Sequence, residues 1–79
     1  MQNYKIIFTW DFEAGVWIAT SDDVPGLVLE DESFDALLRE TQLAVPTLLA
    51  LDNSPRENVM LDFITHRQER LAYSGNLRQ

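Results

Sequence analysis

Only one stretch of this chain, residues 33–51, has the period of a helix, and it constrains the fold more than any other feature. Apolar side chains recur there at steps of three and four residues, so they form one stripe along a helix. The stripe consists of Phe34, Leu37, Leu38, Thr41, Ala44, Val45, Leu48 and Leu49. We predict a helix over residues 33–51 in which Ser33 caps the first turn. Since every other apolar run alternates like a strand, this helix must cover the sheet that those runs form.

Two residues of this stretch do not fit the stripe. Pro46 lies on its polar side, where proline removes a backbone hydrogen bond, so we expect the helix to bend there while the stripe survives. Leu43 points almost opposite the stripe. It is either a lone exposed leucine, which is ordinary, or part of a second contact surface with neighbouring small side chains. Those neighbours are Ala36, Thr47 and Ala50.

Four runs of alternating side chains predict four strands, over residues 4–11, 16–21, 27–30 and 59–67. The first two strands are joined by a short hairpin in which Gly15 is free to take a positive φ. In both of these strands, large apolar side chains occur at even and odd positions alike. The alternation therefore does not decide which face of the sheet meets the helix.

A structural turn at Pro25 and Gly26 separates the second strand from the third, because proline withdraws an amide donor and glycine permits a sharp bend. The first three strands then form an antiparallel meander. The helix is a crossover connection, so the fourth strand runs parallel to the third and to the first. We predict an α+β fold of βββαβ order, with a four-stranded mixed sheet in the order 3-2-1-4 and one helix on one face. The other face and the sheet edges stay available to another chain.

The length of 79 residues fits one domain, which we place at residues 1–71, followed by a flexible tail at residues 72–79. A core of this size is marginal, and the chain has no cysteine for a disulfide, so we expect a homo-oligomer, most simply a dimer. There is no apolar run that could span a membrane and no signal peptide. Together with the absence of cysteine, this favours a cytoplasmic protein.

Negative charge is concentrated in the first part of the chain. Residues 1–57 contain 11 acidic and 3 basic side chains, whereas residues 58–79 contain 2 acidic and 3 basic side chains. An acidic body repels nucleic acid and attracts basic partners. The same charge can equally serve solubility alone.

A thin basic patch lies near the end of the sequence. Its members are His66, Arg67, Arg70 and Arg78, and Glu69 interrupts it. Phosphate binding usually requires a denser cluster of positive charge, so we do not expect direct binding of nucleic acid.

The segment over residues 15–27 carries a recognisable pattern. A strand that begins with glycine, any residue, an aromatic and an aliphatic residue (Gly15, Trp17, Ile18) is followed by an acidic residue, an aliphatic residue, proline and glycine at residues 23–26. An acidic segment and the helix come next. This pattern resembles that of the HicB-like antitoxins, and more closely that of their short single-domain relatives of unknown function. The resemblance covers residues 4–70.

The resemblance implies a partial RNase H-like fold. It also implies a protein that neutralises a small, RNA-cleaving toxin by binding it, and that assembles with copies of itself. Many relatives carry a C-terminal segment that binds operator DNA. After residue 70 too little of this sequence remains for such a segment, so we do not expect this chain to bind DNA.

An RNase H-like fold raises the possibility of catalysis, which would need several converging carboxylates. The candidates Asp11, Asp22, Asp23 and Asp62 scatter along the predicted sheet, so we predict no catalytic site. His66 is the single histidine and there is no cysteine, so we predict no metal site and no cofactor.

Two functions stay open at this point. The first is an antitoxin-like module that binds a small basic toxin-like protein, and the second is a self-assembling domain without such a partner. The candidate partner-binding residues are Asp22, Asp23, Asp31, Glu32 and Trp17. Tryptophan is enriched at the centres of interfaces, but Trp10 and Trp17 could equally belong to the core.

Overall fold

Five elements form the part of the chain that the structure describes, residues 2–52 and 58–73 of a computed structural model. In chain order they are β1 (Gln2–Asp11), β2 (Val16–Thr20), β3 (Val28–Asp31), α1 (Phe34–Leu51) and β4 (Val59–His66). The strands form one mixed sheet in the order β3-β2-β1-β4, with β1 antiparallel to β2 and parallel to β4. The predicted α+β fold, with one helix and strand order 3-2-1-4, is confirmed for these residues.

Ser33 caps the helix as predicted. Its hydroxyl oxygen accepts a hydrogen bond from the Ala36 N–H at 3.2 Å, and its own N–H donates to Asp31 Oδ1 at 2.8 Å. Asp35 lies in the first turn, where the positive end of the helix favours an acid. The helix continues past Pro46. The bend expected at Pro46 stays a prediction.

The core lies between α1 and one face of the sheet. Its buried apolar side chains are Ile6, Phe8, Trp17, Ala19, Val24, Leu27, Leu37 and Val45. Phe34 joins the two layers, since its ring centroid lies 5.2 Å from that of Phe8 and 5.0 Å from that of Trp17 in edge-on geometry. The helix therefore meets the even-numbered side chains of β1 and the odd-numbered side chains of β2.

The apolar stripe of α1 is buried unevenly. Leu37 and Val45 are buried, whereas Phe34, Leu38 and Leu48 are only partly buried against the core. The cause is the position of the helix, which comes close to β2 and β3 but, within the described residues, not to β4. One helix is too narrow to cover four strands. Some apolar side chains of α1 therefore stay partly exposed to solvent.

Trp17 belongs to the core, which corrects its assignment as a partner-binding residue. It is 8% exposed, and its ring lies between those of Trp10, at 5.4 Å, and Phe34, at 5.0 Å. In the folded domain a partner cannot reach most of this side chain. The helix, not another protein, covers it.

In the loop between β2 and β3, side-chain hydrogen bonds replace the main-chain bonds that a longer strand would make. Ser21 Oγ donates to the Lys5 carbonyl at 2.6 Å and accepts from the N–H groups of Asp23, at 3.0 Å, and Val24, at 3.1 Å. Asp23 Oδ2 accepts from the Lys5 N–H at 2.8 Å. The loop then turns at Gly26, whose φ of 83° is one that L side chains rarely adopt.

These bonds explain where the strand limits differ from the predicted ones. β2 ends one residue early because Ser21 reaches Lys5 through its side chain and not through the main chain. β3 begins one residue late because the Leu27 N–H donates to the Val24 carbonyl within the turn. β1 begins two residues early because Gln2 and the next residue pair with the start of β4. Most of the predicted tail, residues 74–79, lies outside the described residues.

Thr41 generates a prediction about stability. Its side chain is fully buried on α1, and its hydroxyl has no hydrogen-bond partner within the part of the chain that the structure describes. A buried polar group without a partner costs about 1–3 kcal/mol. Thr41→Val keeps the β-branched shape and removes the hydroxyl, so we expect the free energy of unfolding to rise by about 1 kcal/mol and the melting temperature by roughly 4–8 °C. A thermal melt followed by circular dichroism measures both.

Thr47→Val is the matched control, because Thr47 is exposed on the same helix. Its effect should stay within about 0.5 kcal/mol. A lower melting temperature for Thr41→Val would contradict the prediction, because it would mean that the hydroxyl has a favourable partner.

The two neighbouring acids of the β2–β3 loop generate a second prediction. Asp23→Ala removes the bond to the Lys5 N–H and should lower the free energy of unfolding by about 1 kcal/mol. Asp22 makes no hydrogen bond or ion pair with the described residues, so Asp22→Ala should change stability by less than about 0.5 kcal/mol. Both variants lose one negative charge, so the difference isolates the hydrogen bond. Equal urea midpoints for the two variants would show that Asp23 does not hold the loop.

Candidate protein-binding surface

The candidate binding surface is the face of the sheet that points away from α1. We call it the open face. By alternation from the buried side chains, it consists of Asn3, Lys5, Ile7, Thr9, Val16, Ile18, Thr20, Val28, Glu30, Met60, Asp62, Ile64 and His66. No described element packs on it, so its apolar members meet solvent unless another chain covers them.

The strand register arranges these side chains in rows that cross the sheet. One row contains Ile64, Ile7, Thr20 and Val28. The next contains His66, Thr9, Ile18 and Glu30. Val28 is 71% exposed and Ile64 43% exposed, whereas Ile7 and Ile18 are shielded in part by their neighbours. The first row is mostly apolar, whereas the second ends in the polar side chains of His66 and Glu30. The face thus combines apolar and polar groups, as protein interfaces do.

A shallow groove continues the second row at the hairpin end of the sheet. It has a volume of about 310 Å³ and is lined by Thr9, Trp10, Asp11, Phe12, Ile18 and His66, among others. Phe12 is exposed at the tip of the hairpin. Asp11 is not free to act in the groove, because its Oδ1 accepts from the N–H groups of Glu13 and Ala14 and so shapes the turn.

The four acids predicted to bind a partner do not form one cluster. Asp22 and Asp23 follow β2 at one end of β3, and Asp31 and Glu32 lie at its other end, just before α1. Asp23 and Asp31 are engaged in structure, the first with Lys5 and the second with the helix cap. Asp22 and Glu32 are exposed and make no hydrogen bond with the described residues, so they are the two that a partner would find available.

A further acid on the helix, Glu40, adds negative charge beside Asp31 at the end of β3. The carboxyl of Asp31 hydrogen-bonds to that of Glu40 and raises the pKa of Glu40 above its usual value, while Arg39 partly opposes the shift. The two carboxyls therefore lie close together where β3 meets α1.

The basic side chains near the end of β4 are partly used within the domain. The Arg67 guanidinium lies 4.3 Å from the centre of the Trp10 ring and 5.7 Å from that of Trp17, and it pairs with Glu69. Arg78 lies outside the described residues. The thin patch seen in the sequence therefore includes one arginine that is engaged with aromatic rings.

The carboxylates considered for catalysis occupy separate places. Asp11 shapes the hairpin, Asp23 holds the β2–β3 loop, and Asp62 lies opposite Lys5 on the open face. Over residues 2–52 and 58–73, no group of three or more His, Cys, Asp or Glu side chains could hold a metal ion. Within the same ranges, no helix is long and apolar enough to cross a membrane.

Sequence reasoning predicts an uncovered, partly apolar face of the sheet, but it does not identify the apolar residues that lie on that face. They are Ile7, Val16, Ile18, Val28, Met60 and Ile64. The signal existed in the sequence, since β1 and β2 are apolar on both sides. What was missing was the identity of the covered face, which the packing of Phe34 on Phe8 and Trp17 decides.

Comparison with known proteins assigns the chain to a family. The model of a family described as "Domain of unknown function (DUF1902)" matches residues 3–74. No curated protein matches. The crystal structure of hypothetical protein TTHA1013 from the extremely thermophilic bacterium Thermus thermophilus is similar, with 35% sequence identity over 91% of this chain and 100% of that chain and a TM-score of 0.67. The chain therefore belongs to the DUF1902 family of domains of unknown function.

Proposed function

We propose that this domain is a HicB-like, antitoxin-like binding module that sequesters a small basic, RNA-cleaving partner protein and performs no chemistry of its own. The observation that carries the proposal is the open face, where a mostly apolar row crosses four strands without any described element to cover it. Large uncovered apolar patches on a small soluble domain are typical of sites that bind another protein.

The distribution of charge supports a basic partner. Residues 2–52 carry 10 acidic and 2 basic side chains. Acids lie at both ends of β3, and Asp22 and Glu32 among them are not engaged elsewhere in the described structure. Complementary charge speeds the encounter of two proteins, whereas buried apolar contacts set how slowly they separate.

The resemblance to HicB-like antitoxins supports the nature of the partner. The residues that carry it, Gly15, Trp17 and the Pro25–Gly26 step, have structural roles in the hairpin, the core and the β2–β3 turn. The likeness to that group therefore lies in residues that shape the fold. The candidate partner is the product of an adjacent reading frame that encodes a small basic protein with a histidine.

A second candidate function is a self-assembling domain without a toxin partner. The exposed apolar side chains of β4, an edge strand, favour it. The absence of a small basic reading frame beside the gene would leave this second function as the better one. Cleavage of RNA by the purified domain with magnesium or manganese, lost in Asp11→Ala, would overturn the proposal that the domain performs no chemistry.

The first test of the proposal removes the apolar character of the open face without changing charge. The double variant Val28→Thr/Ile64→Thr keeps β-branched side chains in both strands, so the sheet should remain intact. We expect its affinity for the adjacent basic protein, measured by calorimetry, to fall by roughly tenfold or more, because two exposed apolar contacts are lost. Leu43→Gln is the control, since Leu43 is 77% exposed on α1 and away from the open face. Loss of affinity in the control alone would place the interface on the helix.

The second test separates the effect of charge on the association rate from the effect of apolar contacts on the dissociation rate. Asp22→Asn/Glu32→Gln should slow association by roughly threefold or more at low salt and flatten its salt dependence, with dissociation almost unchanged. The control Glu13→Gln/Asp35→Asn removes two exposed charges that do not lie at the ends of β3 and should have a smaller effect on the association rate. Stopped-flow measurements over a range of salt concentrations give both rates. Equal effects of the two variants would mean that net charge, and not the position of these acids, attracts the partner.

A further inference from the structure

The two edges of the sheet differ in how well they are shielded. β3 is short and ends in two acids, Glu30 and Asp31, which is a common way to prevent pairing with another chain. β4 has eight residues and exposes apolar side chains on both faces, including Phe63 and Ile64. Within the described residues nothing pairs with its outer side. An edge of this kind pairs readily with a further strand.

The direction of the main-chain groups of β4 follows from the hydrogen bonds that β1 makes on its other side, towards β2. The Lys5 N–H donates to Asp23 and the Lys5 carbonyl accepts from Ser21, so the main chain of Lys5 points towards β2. The alternating residues of β1, such as Ile6, then point towards β4. In a parallel pair, a residue bonds to the two neighbours of the residue opposite it.

Alternate residues of β4 therefore form main-chain hydrogen bonds with β1, and the residues between them do not. Ile6 lies opposite Phe63, so Asp62 and Ile64 bond to β1. The N–H and carbonyl groups of Leu61, Phe63 and Thr65 point outwards, away from the sheet. These groups are arranged to receive a second strand.

Charge distinguishes this edge from the rest of the molecule. Residues 58–73 contain two acids and two arginines, whereas residues 2–52 have a net charge of −8. Two copies of the chain repel each other through their acidic bodies, and they approach at least electrostatic cost through β4. The edge therefore favours a copy of this chain, whereas the acidic ends of β3 favour a basic protein.

We propose that two copies pair through β4 in antiparallel orientation, about a two-fold axis normal to the sheet. The product is one continuous eight-stranded sheet in the order 3-2-1-4-4-1-2-3 with both helices on the same side. A strand that pairs with its own copy in this way forms an isologous interface, which closes at two subunits. This dimer does not depend on the proposed toxin-like partner.

The side chains of β4 select one register. An axis at Asp62 would oppose two carboxylates, which is unfavourable. An axis at Phe63 would also allow main-chain pairing, but it would place Asp62 opposite Ile64 of the partner subunit, a carboxylate against an apolar side chain. An axis at Ile64 places Ile64 against its own copy and Asp62 opposite His66 of the partner subunit. It also places the outward main-chain groups of Phe63 opposite those of Thr65 of the partner subunit, so that they can exchange hydrogen bonds. We therefore assign the axis to Ile64.

A single introduced cysteine tests this register, because the chain has none of its own. At an axis on Ile64, the two Cα atoms would lie about 4.5 Å apart, a separation that permits a disulfide of about 4.4–6.8 Å between Cα atoms. Ile64→Cys should form a disulfide-linked dimer under mild oxidation, at a rate roughly tenfold or more above that of Val28→Cys. Val28 is the matched control, an exposed apolar residue on the open face of the opposite edge strand. Equal rates, or faster coupling of Val28→Cys, would overturn the proposal.

A proline at the edge tests the hydrogen bonds themselves. Thr65→Pro removes an N–H that points outwards and leaves the β1–β4 ladder intact, a position where strands tolerate proline. We expect this variant to be a folded monomer by sedimentation equilibrium at micromolar concentration, whereas Thr65→Val and the unaltered chain are dimers. A Thr65→Pro dimer, or a monomeric unaltered chain, would overturn the proposal. If Thr65→Pro failed to fold, the cysteine experiment would decide the question without it.

Discussion

The rest of the structure depends on one constraint, which is that a single helix must cover a four-stranded sheet. α1 packs over β2 and β3 and reaches β1 through the ring of Phe34, and this is as far as its apolar stripe extends. Burial of about eight apolar side chains supplies the core, at roughly 1.5–3 kcal/mol for each large side chain. What the helix cannot cover, namely the open face and the outer part of β4, stays apolar and exposed. The surfaces available for binding are thus a direct consequence of how the core is built.

The acidic side chains divide into two groups with different tasks. Asp23 and Asp31 accept hydrogen bonds from main-chain N–H groups and fix the two ends of β3, one at Lys5 and the other at the cap of α1. Asp22 and Glu32, their neighbours in sequence, have no such bonds in the described structure. Adjacent residues of the same charge therefore differ in role because their main-chain neighbours differ. A substitution that removed all four acids together would confuse loss of structure with loss of charge.

The sequence predicts much of this fold because its periods differ so clearly. One helical stripe among alternating runs, with Ser33 as a cap and a turn at Pro25, leaves few topologies, and the predicted sheet order is confirmed. The same periods do not predict which face of β1 and β2 is covered, since Ile6 and Ile7 are equally apolar. For this reason the sequence leaves open whether Trp17 belongs to the core or to a binding surface. Strand limits near Ser21 also could not be read from alternation, because a side-chain bond replaces a main-chain one there.

The open face and the β4 edge differ in the kind of contact that they can make. One small domain can therefore carry both binding surfaces. The edge offers main-chain hydrogen bonds in a fixed spacing, which a copy of the same strand matches by symmetry. The open face offers mainly side-chain contacts, and the acids at the two ends of β3 suit a different and basic protein. In the proposed dimer the two-fold axis is normal to the sheet, so both helices lie on one side and both open faces lie on the other. Ile64 of each subunit would then join the two open faces into one apolar surface, and a partner that reached across the axis would bind to both subunits at once.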